Sequence, residues 1–231
     1  MAEFLLAISA FIAAHVIPPM PPIRAFLIGR IGRPLYFLAY SLLSLALLAW
    51  IVVAARRAPY IALWDPAPWQ ALVAVALMPL AFWLIVAGLA EPNPLSITLR
   101  RAGPGFVPGP IVTITRHPVL WGFMIWAAAH IPANGDVVSL ILFGGMFVLA
   151  LGAIPTLDRR ARRQLGEHSW QALAQITSTV PFAALLTRKT TLRPDGLFAI
   201  STAVAVLAYF WFLLEGHRIL IGLSPLARLS W

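Results

Sequence analysis

The chain has 231 residues, of which 61% are apolar and 11% charged, with no cysteine and a net charge of +9. So small a polar share does not cover the surface of a water-soluble domain. The lack of cysteine excludes disulfides, thiolate zinc sites and cysteine-ligated iron–sulfur clusters, leaving His and Met as candidates for metal or haem ligation.

The apolar residues fall in long runs rather than at scattered positions. Runs near twenty residues match the hydrocarbon thickness of a bilayer. The predicted fold class is therefore all-α, a polytopic transmembrane helical bundle of about six spans forming one domain over residues 1–231. The first run is 4–17. Met1-Ala2-Glu3 before it carries no positive charge, and a Pro-rich stretch at 18–22 stands in place of a small-residue cleavage site. It reads as a retained helix, with a re-entrant helix as the alternative. Residues 23–34 hold Arg24, Arg30 and Arg33 among apolar residues and read as an interfacial helix or tight loop.

The second run is 35–55, stopped by Arg56-Arg57. The third is 69–90, where Pro79 predicts a kink that buried neighbours tolerate. Residues 91–116 form the longest loop, rich in Pro and Gly, including Gly103-Pro104-Gly105. The fourth run, 119–131, follows Arg116-His117-Pro118, and Asn134-Gly135-Asp136 makes the next turn. The fifth is 137–154, continued by a polar basic segment at 158–170. Residues 171–187 are mixed and suit the membrane interface. The sixth run is 197–214, followed by Glu215-Gly216-His217-Arg218, where Glu215 and Arg218 are spaced to pair on one helix face.

In this arrangement thirteen of the 17 Lys and Arg fall on one side and four on the other, namely Arg56, Arg57, Arg218 and Arg228. The positive-inside rule places the first group in the cytoplasm and both termini outside. The basic residues sit in loops between apolar runs, so topology and lipid headgroups explain the charge. The lipid bilayer is the expected partner and nucleic acid is not.

Five histidines stand out: His15, His117, His130, His168 and His217. An imidazole at membrane depth needs a partner, and a neutral one can ligate haem iron or another metal. The bland reading of each is a side chain bonded to a carbonyl at a helix end. His15 and His130 lie in the two shortest runs, which are the ones best tolerated when shielded inside a bundle. At a rise of about 1.5 Å per residue, His15 lies about 18 Å below Glu3 and His130 about 9 Å from Asp136 at the same face. That ruler pairs His15 more comfortably with His117. Arg116 and His117, at a helix start made by Pro118, also suit a phosphate, a carboxylate or a cofactor; a plain topology anchor is the alternative.

Together these features resemble the NnrU family of membrane proteins. The matching stretches are His15-Val16-Ile17-Pro18-Pro19 with Arg24, residues 36–45, Asn93-Pro94-Leu95-Ser96, and 114–136 with Arg-His-Pro, Gly122, His130 and Asn134-Gly135-Asp136. The resemblance covers essentially the whole chain. It implies an inner-membrane protein of denitrification or nitrogen-oxide metabolism in bacteria. The family also resembles plant zeta-carotene isomerase, a haem b membrane enzyme. There one iron-binding histidine sits in the early helix, and the other follows an Arg-His-Pro element on the same helix. By motif, the resemblance implies haem b on His15 and His130, with isomerase or redox chemistry. A weaker resemblance, through Arg-His-Pro, Gly122 and residues 166–170, is to isoprenylcysteine carboxyl methyltransferases, which hold S-adenosylmethionine. The expected site residues are thus His15, His130, His117 and Arg116. The alternatives are a non-catalytic factor supporting nitrite or nitric oxide reductase expression or assembly, a redox or denitrification partner being expected, and a membrane methyltransferase.

Overall fold

In the computed structural model, residues 1–103 and 105–229 are described; Pro104, expected in the long loop, lies outside the described residues. All the apolar runs are helical. In chain order the helices are α1 (Ala2–Val16), α2 (Pro21–Ile31), α3 (Arg33–Arg57), α4 (Pro68–Ala90), α5 (Pro110–Ile114), α6 (Pro118–Asn134), α7 (Val137–Leu165), α8 (Glu167–Ile176), α9 (Ala183–Leu186), α10 (Gly196–Trp211) and α11 (His217–Ile221). A π-helical turn, Phe212–Gly216, joins the last two.

Four helical segments among the described residues are long and apolar enough to span a bilayer: α3, α4, α7 and the stretch Gly196–Ile221. Counting the bent pair α1 and α2 as one span makes five. The expected six differs for two physical reasons. The chain turns by 82° between α1 and α2, across the Pro-rich link. Helix α6 has 17 residues, at the lower edge of spanning length. The segment at 23–34 falls in α2 and the first turn of α3, and the basic segment at 158–170 continues α7 and opens α8.

The residues group into two units, Met1–Trp64 with Asp136–Leu142, and Asp65–Gly135 with Phe143–Trp231. In the first, α1 and α2 pack on α3. Helix α1 buries Phe4, Ala7, Ile8 and Phe11, a stripe at helical spacing. Tyr36 donates its hydroxyl to the Pro18 carbonyl at 3.2 Å, tying the bend to α3.

In the second unit, α4 lies against both α6 and α10. Lipid tails are as apolar as leucine, so close van der Waals contact drives helix pairing, and small residues permit it. A Cβ on Gly88 would meet Pro118 Cγ at 2.7 Å, and one on Gly122 would meet the Ala81 carbonyl oxygen at 2.9 Å. On the other side of α4, Trp83 Nε1 donates to Thr202 Oγ1 at 3.0 Å, and the Tyr209 hydroxyl donates to the Val75 carbonyl at 2.9 Å. Pro79 stands four residues after Val75 and has no N–H to offer it. The phenol replaces the missing helical donor, so α4 continues through its proline.

Candidate functional site

Pro118 is the first residue of α6, as its fixed φ favours, and His117 is the N-cap. This corner is wired into the second unit. Asn93 Nδ2 donates to the Arg116 carbonyl at 3.0 Å, Arg116 N–H to the Ser178 carbonyl at 2.9 Å, and Trp121 Nε1 to the Thr179 carbonyl at 2.7 Å. The His117 side chain is fully buried. Its Nε2 lies 3.1 Å from Asp158 Oδ1, and its Nδ1 lies 3.0 Å from Ser96 Oγ. A carboxylate only accepts, so Nε2 carries a proton. In the neutral ring, Nδ1 then accepts from the Ser96 hydroxyl.

Arg116 Nη1 lies 3.6 Å from the same Asp158 oxygen. Asp158 thus provides one anion at this helix start. The Arg116 guanidinium carbon lies 5.9 Å from the Trp170 ring centre, and that of Arg162 lies 5.4 Å from it. Arg162 is in turn bonded to Glu167, holding that carboxyl below its usual range. Among the described residues, Arg116 Nε and Trp170 Nε1 are buried donors with no hydrogen-bond partner.

A buried carboxylate, Glu91, lies at the end of α4. Its two oxygens accept from the Ile111 and Val112 N–H groups at 3.0 and 3.1 Å, capping α5. Burial pushes this carboxyl up from its usual range, against those two backbone donors and with the Asp195 charge. A Cβ at position 109 would sit 2.6 Å from the Glu91 carboxyl carbon, which only glycine avoids.

His15 and His130, each in its own unit, share a different arrangement. His15 Nδ1 lies 2.8 Å from the Phe11 carbonyl, and His130 Nδ1 lies 2.8 Å from the Trp126 carbonyl. A carbonyl only accepts, so Nδ1 carries the proton and the Nε2 lone pair is left available. Both rings are packed by aromatics: Phe11 stacks on His15 at 4.0 Å with Tyr40 edge-on at 5.7 Å, and Phe143 stacks on His130 at 4.9 Å. Metal-ligating histidines are held in this way, with the second ring nitrogen donated to a carbonyl. His15 and His130 thus each offer one ring nitrogen not engaged by the carbonyl, whereas His117 has both ring nitrogens engaged. His217 donates Nδ1–H to the Leu223 carbonyl at 2.7 Å, and His168 is exposed. Among the described residues no three His, Asp or Glu converge as a metal site.

Residues 3–225 match the family model described as NnrU protein. The chain belongs to the NnrU family. Its similar curated proteins include the chloroplastic 15-cis-zeta-carotene isomerase of Arabidopsis thaliana, 30% identical over 128 residues, which is 52% of this chain and 33% of that protein. The isomerase of the same name from Zea mays is 34% identical over 85 residues, 37% of this chain and 23% of that protein. The matched region thus spans a third or less of either isomerase's length. No solved structure matches.

In this NnrU-family chain the structure joins Arg116 to His117 through Asp158, which the sequence reading left unassigned along with Ser96, Glu91 and Trp170. A signal for Asp158 was present, since it is the lone acid beside Arg159, Arg160, Arg162 and Arg163. The expected pair of Glu215 and Arg218 is formed, with Arg218 Nη2 donating to Glu215 Oε2 at 2.6 Å.

Proposed function

We propose that this NnrU-family chain is a haem b-binding protein of nitrogen-oxide metabolism in the bacterial inner membrane, with both termini periplasmic and with His15 and His130 as iron ligands. The single observation that carries the reading is the shared tautomer of these two residues, each with Nδ1–H fixed on the carbonyl four residues back and Nε2 available. Without cysteine the group is held non-covalently. The Phe11 and Trp126 carbonyls keep the two rings in the ligating tautomer, and the stacked Phe11 and Phe143 rings limit their rotation. When bound, the haem would supply an iron centre capable of one-electron chemistry and of exchanging an axial ligand. Isomerase chemistry, the activity named for the plant relatives, is the reaction class this reading adopts, with redox chemistry as its close neighbour.

Arg116 takes a separate role. It stands fourteen residues before His130, about 21 Å along a helix. That is farther than the propionate arms of one haem reach from its iron. Its free Nε and the Trp170 indole N–H would instead hold a carboxylate of a second cofactor or of a substrate.

The test is haem content. The full chain, purified in detergent from cells supplied with a haem precursor, should carry about one b-type haem per chain in a pyridine haemochrome assay. Protein that stays colourless under those conditions overturns the reading.

A further inference from the structure

A cavity of about 350 Å³ opens beside the start of α10, between the chain leading into α5 and the segment after α9. That volume falls within the range of small-molecule sites, about 300–1,000 Å³. Its lining includes Arg188, Lys189 and Arg193, the hydroxyl-bearing Thr113, Thr190 and Thr191, and no acidic residue. None of the three cations forms a salt bridge among the described residues, although five other ion pairs are made in the molecule. The backbone of two of them is fixed by local hydrogen bonds. Arg188 takes a left-handed φ of 56°, its N–H donates to the Leu185 carbonyl at 3.0 Å, and Lys189 N–H donates to the Ala184 carbonyl at 2.9 Å.

The rest of the surroundings is apolar. Val107 in the wall is 79% exposed, and Leu186, two residues before Arg188, is 81% exposed. Exposed leucines alternating with cations, directly before a membrane-spanning helix, belong at headgroup depth. A purely aqueous anion site has no use for the leucines, and a purely apolar crevice has none for the cations.

We propose that this cavity binds a phosphate group, that of an anionic phospholipid headgroup or of a free phosphate. The cations and the hydroxyls of Thr190 and Thr191 would take the phosphate oxygens, and the apolar rim would take the first carbons of an acyl chain. The site is independent of the haem reading and stands whether or not the chain binds haem.

The experiment is native mass spectrometry of the detergent-solubilised full chain. The probes are dioleoyl phosphatidylglycerol, dioleoyl phosphatidylcholine and inorganic pyrophosphate. The parent should retain phosphatidylglycerol over phosphatidylcholine. The R188A/K189A/R193A variant should bind at least about tenfold more weakly. The control R100A/R101A/R163A, which removes the same charge elsewhere, should bind like the parent. Thr190→Val leaves every charge in place and should weaken binding about threefold, which keeps the test open if the triple variant fails to fold. Phosphatidylglycerol binding alone assigns a lipid headgroup. Pyrophosphate binding with the same dependence on the variants assigns a soluble phosphate. Binding of neither probe, or equal losses in the two triple variants, overturns the proposal.

Discussion

The Tyr209 hydroxyl donates to the Val75 carbonyl at 2.9 Å, the carbonyl that Pro79 leaves without a helical partner. The two residues stand 134 apart in sequence, and the bond closes α10 onto α4. An unsatisfied carbonyl in hydrocarbon is costly, and interhelical bonds of this kind contribute about 1 kcal/mol. Tyr209→Phe should lower the thermal midpoint in detergent accordingly. Pro79→Ala restores the N–H, so Tyr209→Phe in that background should cost much less. Equal costs in the two backgrounds would show that the phenol does not replace the missing donor.

Asp158 is the shared acceptor for His117 and Arg116. Asp158→Ala leaves a fully buried imidazole and a nearly buried guanidinium without their anion. The loss should be about 2–3 kcal/mol, read as a clear drop in thermal midpoint. Asp158→Asn, which keeps an acceptor for His117 Nε2, should recover part of it. If Asp158→Ala unfolds at the parental temperature, the network is not what holds the Arg-His-Pro corner.

Much of this was legible in the sequence, and the reason is local. Membrane helices advertise themselves through runs of apolar residues, and Pro118 marks a helix start because its ring suits that position. The i,i+3 spacing of Glu215 and Arg218 likewise announced their bond. Span number was less legible, because the Pro-rich link turns the chain by 82° and α6 falls at 17 residues. The pairs Tyr209–Val75, Asp158–His117 and Glu91–Ile111 were not legible, since contacts between distant segments leave no periodic trace. Pro79 did announce that Val75 would need another donor, and Tyr209 is the only phenol in residues 197–214. What the sequence lacked was the packing of α10 on α4.

Glu91 should make stability depend on pH. Its carboxyl titrates above the ordinary value near 4.5 because burial disfavours the charged form. The folded chain therefore holds this proton more tightly than the unfolded chain does. The stabilisation is fully present below the ordinary value and is lost as pH rises through the raised one. Glu91→Gln cannot ionise and should lack this component. Thermal midpoints of parent and variant across that window should diverge as pH rises. Parallel curves would show that the Glu91 charge is fully compensated by the Ile111 and Val112 N–H groups.

The thirteen-to-four division of Lys and Arg in the expected six-span arrangement predicts an orientation that reporters can read. Fusions after Arg57 and after Asp136 should report the periplasm, and a fusion after Arg163 the cytoplasm. The reverse pattern would invert the assignment of every loop.

Ligation of haem by His15 and His130 is read from the Soret band of the purified protein and of three histidine variants. In His15→Ala and His130→Ala the band should shift or vanish, because the vacated iron position opens or takes water. In His117→Ala, whose side chain is committed to Ser96 and Asp158, the band should keep its parental position. A parental band in His15→Ala and in His130→Ala, or a band lost only in His117→Ala, would contradict the assignment.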